Sequence, residues 1–357
     1  MQTNTVAVGA DDGHDTIKTC VGYNAELGQY ECYSMKSIAL SGLHQIVSLG
    51  ETNCAYKTGE DQFTVAGENA LGDYLDTRFL DYPKSSLNRV LVQHALLTSG
   101  MGGKNVALVT GLPVDQYYQN GQENEALCKA KTGNLLLPVI NLNKSIIPSV
   151  VVSNTVISEG IAAIYDVVLD HDGSENEEMA TLVARKPIAV VDMGGKTLDI
   201  ATISENVKGV YADRSGTFEV GVIKLKEKIA AAIKSKFNLN NLPPPKYIEE
   251  ALRTKKYEIF GNYEDVTEII ESSCDDYVDQ IKNAFLKKVG DGSDLGAVIF
   301  VGGGAALLQC VFGKDIFSKV YRGKKIIPAQ PEFSNARGMW KAAKYLFEID
   351  EQAGASI

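Results

Sequence analysis

Two aspartates set in glycine turns carry the chemistry this sequence offers. One lies in residues 188–203, IAVVDMGGKTLDIATI, where an apolar, β-branched run reaches Asp192. Gly194 and Gly195 then allow a tight turn, and Thr197 opens a second strand. The other lies in residues 6–19, VAVGADDGHDTIKT, where a similar run reaches Asp12 and Gly13 and a new strand opens at Thr16. Backbone N–H groups at such a turn can take a phosphate, and bare glycines let it approach. A carboxylate at the rim repels phosphate but holds a Mg²⁺ that carries it, so Asp12 and Asp192 are the candidate metal ligands. Read alone, each turn is equally a β-hairpin with an incidental aspartate. The aspartates stand 180 residues apart in a chain of 357. That spacing predicts two related domains facing each other, with a nucleotide's phosphates held between the turns.

The elements that must position these turns follow from periodicity. Residues 23–34 read as a strand pair around Gly28, and 45–49 and 63–66 as short strands. A helix is expected over 84–99, capped by Ser85 or Ser86, with Leu87, Val90, Leu91, His94 and Leu97 at helical spacing. His94 on that face reads as a hydrogen-bonded core residue rather than a ligand. Residues 105–111 and 150–153 read as strands and 159–168 as a helix, while the acidic stretch 171–186, without periodicity, reads as a surface loop. Beyond the second turn, 207–213 continues the sheet, 222–236 is a helix, and three consecutive prolines in 238–245 break the chain. Val266 to Phe285 marks the buried stripe of a long amphipathic helix. Residues 297–312 then repeat the strand and turn with Gly302, Gly303 and Gly304, leaving a helix start bare for nucleotide contact. Ser334 is expected to cap a last helix, with Met339, Trp340, Ala343, Leu346 and Phe347 on one face.

Composition narrows the classes. A chain 45% hydrophobic and 22% charged is an ordinary globular protein with room for two cores. Its net charge of −10 argues against direct gripping of nucleic acid. No apolar run approaches the length of a membrane span and residues 1–5 lack signal-peptide character, so no membrane partner and a cytoplasmic location are expected. Six cysteines without a CxxC pair and four scattered histidines speak against a structural zinc site. Cys274 and Cys310 read as small core residues.

Taken together, the ordered turns Asp-Gly, Asp-x-Gly-Gly and Gly-Gly-Gly resemble the phosphate 1, phosphate 2 and adenosine motifs of the actin, Hsp70 and sugar kinase superfamily. Within it the chain is most similar to ParM/StbA-type plasmid-segregation actins. DDGHDTIK resembles their phosphate 1 segment, DMGGKTLDI their phosphate 2 segment and VIFVGGGAALL their adenosine turn. HALLTSG at 94–100 resembles their first connecting helix, and Asn335 to Trp340 their second connecting segment. The resemblance implies an α/β, actin-like ATPase fold of two ribonuclease H-like domains around a nucleotide cleft. Domain I would span 1–165, with a C-terminal helix at 332–349 returning to it, and domain II 166–331.

By the same resemblance VISEGIAAIYD places Glu159 at the family's catalytic glutamate, where a carboxylate at a helix start orients a water on the γ-phosphorus. Asp192 joins it as the second catalytic residue. Without the family, Glu159 is a helix N-terminal acid favoured by the dipole. The implied nucleotide contacts are Asp12, Gly13, His14, Asp15, Lys18, Gly194, Gly195, Lys196, Thr197, Lys226, Glu227, Gly302, Gly303 and Gly304. Ser158 stands where the family has proline, His14 where it has a phosphate-binding serine, and Lys196 where it has threonine. A neutral imidazole donates one hydrogen bond and a lysine adds positive charge, so both changes are compatible with phosphate binding. Lys18 is expected to reach the β-phosphate. The implied function is Mg²⁺-dependent hydrolysis of ATP, or GTP, coupled to filament assembly and plasmid segregation in the bacterial cytoplasm. A ParR-like adaptor on centromere DNA would be the partner. A small-molecule kinase of the same superfamily, or a cell-shape or organelle-positioning actin, is the alternative.

Overall fold

The computed structural model describes residues 5–44, 54–59, 61–65 and 74–347. The expected strand at 45–49 lies outside the described residues, as do Ala66 and the last two positions of the expected helix 332–349. The chain divides into two units, Met1–Ala180 with Phe333–Ile357, and Thr181–Glu332. The division therefore falls at 180/181 rather than the expected 165/166. The helix Glu159–Val168 and the turn after it are fastened to the C-terminal helix of the first unit, as described below, which carries the boundary onward.

In the first unit a five-stranded sheet is ordered β5-β4-β1-β2-β3, with β1 Val6–Asp12, β2 Thr16–Asn24, β3 Gln29–Lys36, β4 Asn105–Leu112 and β5 Val150–Ser158. The hairpin β1–β2–β3 is antiparallel, while β4 and β5 add in parallel on the other side of β1. Apolar β-branched runs in β1 and β4 suit strands covered on both faces. A second, smaller sheet joins Ile140–Asn141, Cys54–Thr58, Asp61–Val65 and Ala39–Ser41. Helices α1 Ser86–Thr98, capped by Ser85, and α2 Glu125–Leu136, capped by Asn124, belong to this unit. In α1, His94 is buried and its Nδ1 lies 2.8 Å from the Tyr56 hydroxyl.

The second unit repeats the sheet plan. Its order is β8-β7-β6-β9-β10, from β6 Ile188–Met193, β7 Leu198–Ile203, β8 Gly216–Phe218, β9 Ala297–Val301 and β10 Lys325–Ile326. Here too the first two strands form an antiparallel hairpin and the later ones add in parallel beside the first. Every residue of β6, β7 and β9 is buried, so the strands are mostly apolar instead of alternating, with Asp192, Asp199 and Thr202 as the polar exceptions. The long helix Thr267–Val289 lays Ile270, Cys274, Tyr277, Val278, Ile281 and Phe285 into one core.

Four local expectations are corrected. The stretch read as a loop at 171–186 contains the helix Glu177–Arg185, whose short apolar face, Met179 and Val183, is diluted by surrounding acids. Residues 207–213 overlap two 3₁₀ turns, Glu205–Val207 and Ala212–Arg214, and that segment meets the sheet through a bridge from Val210 to Ile203 and a bond from the Thr202 hydroxyl to the Arg214 carbonyl. Cys310 is exposed, because Ala305 and Leu308 take the core side of its helix and position 310 falls on the opposite face. Ser334 is the first helical residue, and Phe333 holds the cap position.

Ser334 does different work in a buried charge cluster. Its hydroxyl donates to Asp166 Oδ2 at 2.7 Å, Arg337 makes two bonds to the same carboxylate at 2.6 and 2.9 Å, and Lys341 Nζ reaches Oδ1 at 3.2 Å. Lys341 also donates at 2.7 Å to the Asp166 and Leu169 carbonyls, closing the end of Glu159–Val168. Burial alone would raise the Asp166 carboxyl, but Arg337 and Lys341 hold it below the usual carboxylate range. The helix Ser334–Lys341 comes this close because Gly9 on β1 and Gly338 on the helix lack side chains: a Cβ on either would collide with the facing backbone, Ala336 and Trp340 in one case and Ala162 in the other. Met339, Trp340 and Ala343 are buried as expected, whereas Leu346 is largely exposed and Phe347 half-buried.

Burial lowers the His94 pKa to about 4. A folded value below the unfolded one, about 6.5, gives stability that is complete above pH 6.5 and drains away as pH falls toward 4. Thermal melts between those limits are expected to show this loss in the unsubstituted chain and a flatter profile in His94→Gln.

Candidate functional site

The β1–β2 corner of the first unit is tied down from behind. The Ser37 hydroxyl donates to the Gly13 carbonyl at 2.7 Å and the Thr77 hydroxyl to the His14 carbonyl at 2.6 Å. All peptide bonds among the described residues are trans, so each tied carbonyl sends the next residue's N–H the opposite way. The amides of His14 and Asp15 therefore point away from Ser37 and Thr77. The Asp15 carboxylate accepts from Lys36 at 3.1 Å and from Thr16 at 2.9 Å.

The β6–β7 corner of the second unit is built the same way with different parts. Val222 N–H donates to the Gly194 carbonyl at 3.1 Å and Ile223 N–H to the Gly195 carbonyl at 3.0 Å, so the first turn of the helix Val222–Lys236 does the tying. The amides of Gly195 and Lys196 then face the other way. Gly221 lets the helix start press on this corner, since a Cβ there would run into the Gly195 and Lys196 backbone. Thr197 donates to Asp199 Oδ2 at 2.8 Å, and Thr217 donates to Oδ1 of the same buried carboxylate.

Strand register decides which aspartates correspond. Asp12 opposes Ile17 and Asp11 opposes Lys18, while Met193 opposes Leu198 and Asp192 opposes Asp199. Counting back from Gly13 and Gly194, the counterpart of Asp192 is Asp11, and the shared signature is Asp-x-Gly. Both carboxylates of Asp11 and Asp192 are buried residues at strand ends. Asp12 is otherwise engaged: Lys131 Nζ donates to Oδ1 and Asn88 Nδ2 to Oδ2, both at 2.7 Å, and 4% of its side chain is exposed. Each Asp12 oxygen thus has a partner within the protein, whereas Asp11, at the position that corresponds to Asp192, has one oxygen paired to Lys18.

Two more of the expected nucleotide contacts have partners within the protein. His14 Nδ1 lies 2.7 Å from the Thr77 carbonyl, which only accepts, so the proton sits on Nδ1 and the one donor of the neutral ring is used. Lys18 Nζ lies 3.1 Å from Asp11 Oδ2. Glu159 opens its helix beside Ser158 and rests on the end of β4: a Cβ on Gly111 would stand 2.7 Å from Glu159 Cγ. Asp12, Lys131, Gly111 and Glu159 thus gather in the first unit.

In the second unit the Gly302 corner closes on Asp192. Gly302 has φ +89°, and a Cβ there would strike Asp192 Oδ1 and lie 2.6 Å from the Met193 carbonyl. Gly304 fits under Met193 and the Tyr277 hydroxyl, 2.9 Å from where its Cβ would be. That hydroxyl is buried with no hydrogen-bond partner, and burial first, then the charge of Asp192, pushes it well above its usual pKa. Gly303 differs, since a Cβ there meets nothing within 4 Å, so the helix start is open on that side. Lys226 pairs with Glu249 at 2.5 Å, joining two helices, and Glu227 is exposed. Sequence reasoning missed Asp11, Asn88, Lys131, Ser37, Thr77, Asp199 and Tyr277. Only Asp11 carried a signal, the Asp-x-Gly spacing shared by both turns.

These contacts separate three adjacent glycines. Gly302→Ala is expected to cost about 2–4 kcal/mol through positive φ and overpacking, whereas Gly303→Ala stays within about 1 kcal/mol of the unsubstituted chain. Urea unfolding of the two variants checks the difference.

Residues 6–170 match the family model of the N-terminal part of the plasmid segregation protein ParM, StbA_N, and residues 190–313 that of the C-terminal part of archaeal MreB-like actin homologues. No curated protein sequence matches the chain. Among solved structures, an archaeal actin homologue in complex with ADP superposes with a TM-score of 0.72 at 19% identity, over 95% of this chain and 99% of that one. A 15-stranded ParM filament from Clostridium botulinum gives 0.70 at 16% identity, over 96% and 99%. The actin-like protein Alp7A gives 0.71 at 14% identity, over 95% and 96%. The repeated sheet plan is that of the actin-like fold, and the chain is an actin-like protein similar to ParM over residues 6–170 and to archaeal MreB-like actin homologues over residues 190–313.

Proposed function

We propose that the chain is a nucleoside triphosphatase that binds ATP, or GTP, with Mg²⁺ and assembles into filaments that segregate plasmid DNA. One observation carries this reading: each sheet bears an Asp-x-Gly corner whose next two amides are turned away from tied carbonyls. Paired amides of that kind suit phosphate oxygens. Asp192 and Asp11 are hard carboxylate ligands of the sort Mg²⁺ takes, and the ion would offset the charge of the polyphosphate. The open side of Gly303 suits the approach of the nucleoside, and the exposed Glu227 and neighbouring Lys226 are candidate contacts for it. Glu159 orients the attacking water in this scheme, and hydrolysis weakens the filament.

Filament assembly is supported by the likeness to a ParM filament, and nucleotide binding by the archaeal homologue solved with ADP. A net charge of −10 suits a protein that leaves DNA to a ParR-like adaptor on centromere DNA, in the bacterial cytoplasm. No helix among the described residues is long and apolar enough to cross a membrane. The match of 190–313 to archaeal MreB-like actins favours a second reading, a cell-shape or organelle-positioning actin. A small DNA-binding adaptor gene beside this one would decide for segregation.

Light scattering is expected to rise when ATP·Mg²⁺ or GTP·Mg²⁺ is added. The absence of a nucleotide-dependent rise at any protein concentration rejects the filament reading. Glu159→Gln is expected to lower turnover about 100-fold while the scattering rise persists, measured by phosphate release on the same samples.

A further inference from the structure

Three elements converge on the carboxylate that precedes the first glycine turn. Lys131, on α2, sends an ammonium with 2% of its side chain exposed to Asp12 Oδ1 at 2.7 Å and to the Gly111 carbonyl at 2.6 Å. Asn88, on α1, takes the other Asp12 oxygen at 2.7 Å. Gly111 sits near the end of β4, and Glu159 lies against that same residue. A buried ion pair is weak ground for stability, since desolvation costs several kcal/mol per ion and an apolar pair of similar volume is often as good. What the pair does supply is a fixed distance. The ammonium bridges the Asp12 side chain and a main-chain carbonyl on β4, the strand against which Glu159 rests.

We propose that Lys131 is a positioning residue for the hydrolysis proposed above, setting the first phosphate turn in register with Glu159 through Asp12 and Gly111. The inference rests on that reading of Glu159. Lys131 touches no nucleotide in this scheme; it acts only through the two groups it bridges. Its removal leaves the Asp12 carboxylate held by Asn88 alone and takes away the side-chain link between the turn and β4 beyond the last paired residues, Ala10 and Thr110. A displacement of the order of 1 Å between reacting groups costs about 100-fold in rate, and it does so without weakening phosphate binding in proportion.

The test uses the full chain, ATP·Mg²⁺ and GTP·Mg²⁺, with kcat and KM measured beside thermal melts for Lys131→Met, Lys131→Arg and the neutral pair Asp12→Asn with Lys131→Met. Lys131→Met is expected to lower kcat by about 10- to 100-fold with KM moved by less than about threefold. The neutral pair is expected to recover the melting temperature but not kcat, and Lys131→Arg, which keeps the charge and both donors, to recover part of kcat. Should Lys131→Met fail to fold, the neutral pair and Lys131→Arg still decide. Recovery of kcat together with melting temperature in the neutral pair, or an unchanged kcat in Lys131→Met, overturns this inference alone. An unsubstituted chain that turns over neither nucleotide overturns the triphosphatase reading, and this inference falls with it.

Discussion

The tying of two successive carbonyls behind each Asp-x-Gly corner is the constraint on which the rest of the molecule turns. A glycine corner left to itself samples many conformations, and its amides point in no fixed direction. Once Ser37 and Thr77 hold the carbonyls of Gly13 and His14, peptide planarity fixes the amides that follow. The second unit reaches the same end with the N-terminal amides of the helix Val222–Lys236. That helix start is accordingly occupied by the protein's own backbone, and its dipole steadies the corner. One geometry reached by side-chain hydroxyls in one unit and a helix terminus in the other marks the outward amides, rather than any single partner, as the feature retained.

Buried charge is handled differently in the two places where it accumulates in the first unit. Asp166 meets two cations, with the surplus on Lys341 absorbed by the Asp166 and Leu169 carbonyls and by the Tyr30 ring 5.1 Å away. Asp12 meets one cation and one amide, one on each carboxylate oxygen. Both arrangements are costly to bury and specific in geometry. One fastens the C-terminal helix to Glu159–Val168, and the other fastens a turn to a strand end.

Much of the fold was legible because its strands announce themselves. The β-branched runs at β1, β4, β6 and β9 are apolar and end at or near glycine, and the helices Ser86–Thr98, Val222–Lys236 and Thr267–Val289 carry apolar stripes, the first with a serine cap. Glu177–Arg185 was not legible, because only Met179 and Val183 face inward and the acids around them read as a solvated loop. At the site, the glycines were plain, but the choice between Asp11 and Asp12 depended on strand register, which places neighbouring residues on opposite faces. Lys131 and Asn88 come to Asp12 from 119 and 76 residues away. No local pattern distinguishes a lysine that will bridge two acceptors in the interior from one on a solvated helix face.

The glycine contacts at Gly9 and Gly338 bear on how the chain is made. The first unit is discontinuous: its central strand is synthesised before the second unit, and the helix that covers it after. Domains form as units while a chain emerges from the ribosome, so the uninterrupted unit Thr181–Glu332 can complete its core first. The sheet of the first unit must wait, one face bare and Asp166 without its cations, until residues 334–341 arrive. A nascent chain stalled before residue 333 would therefore hold one finished half and one that still needs a holdase.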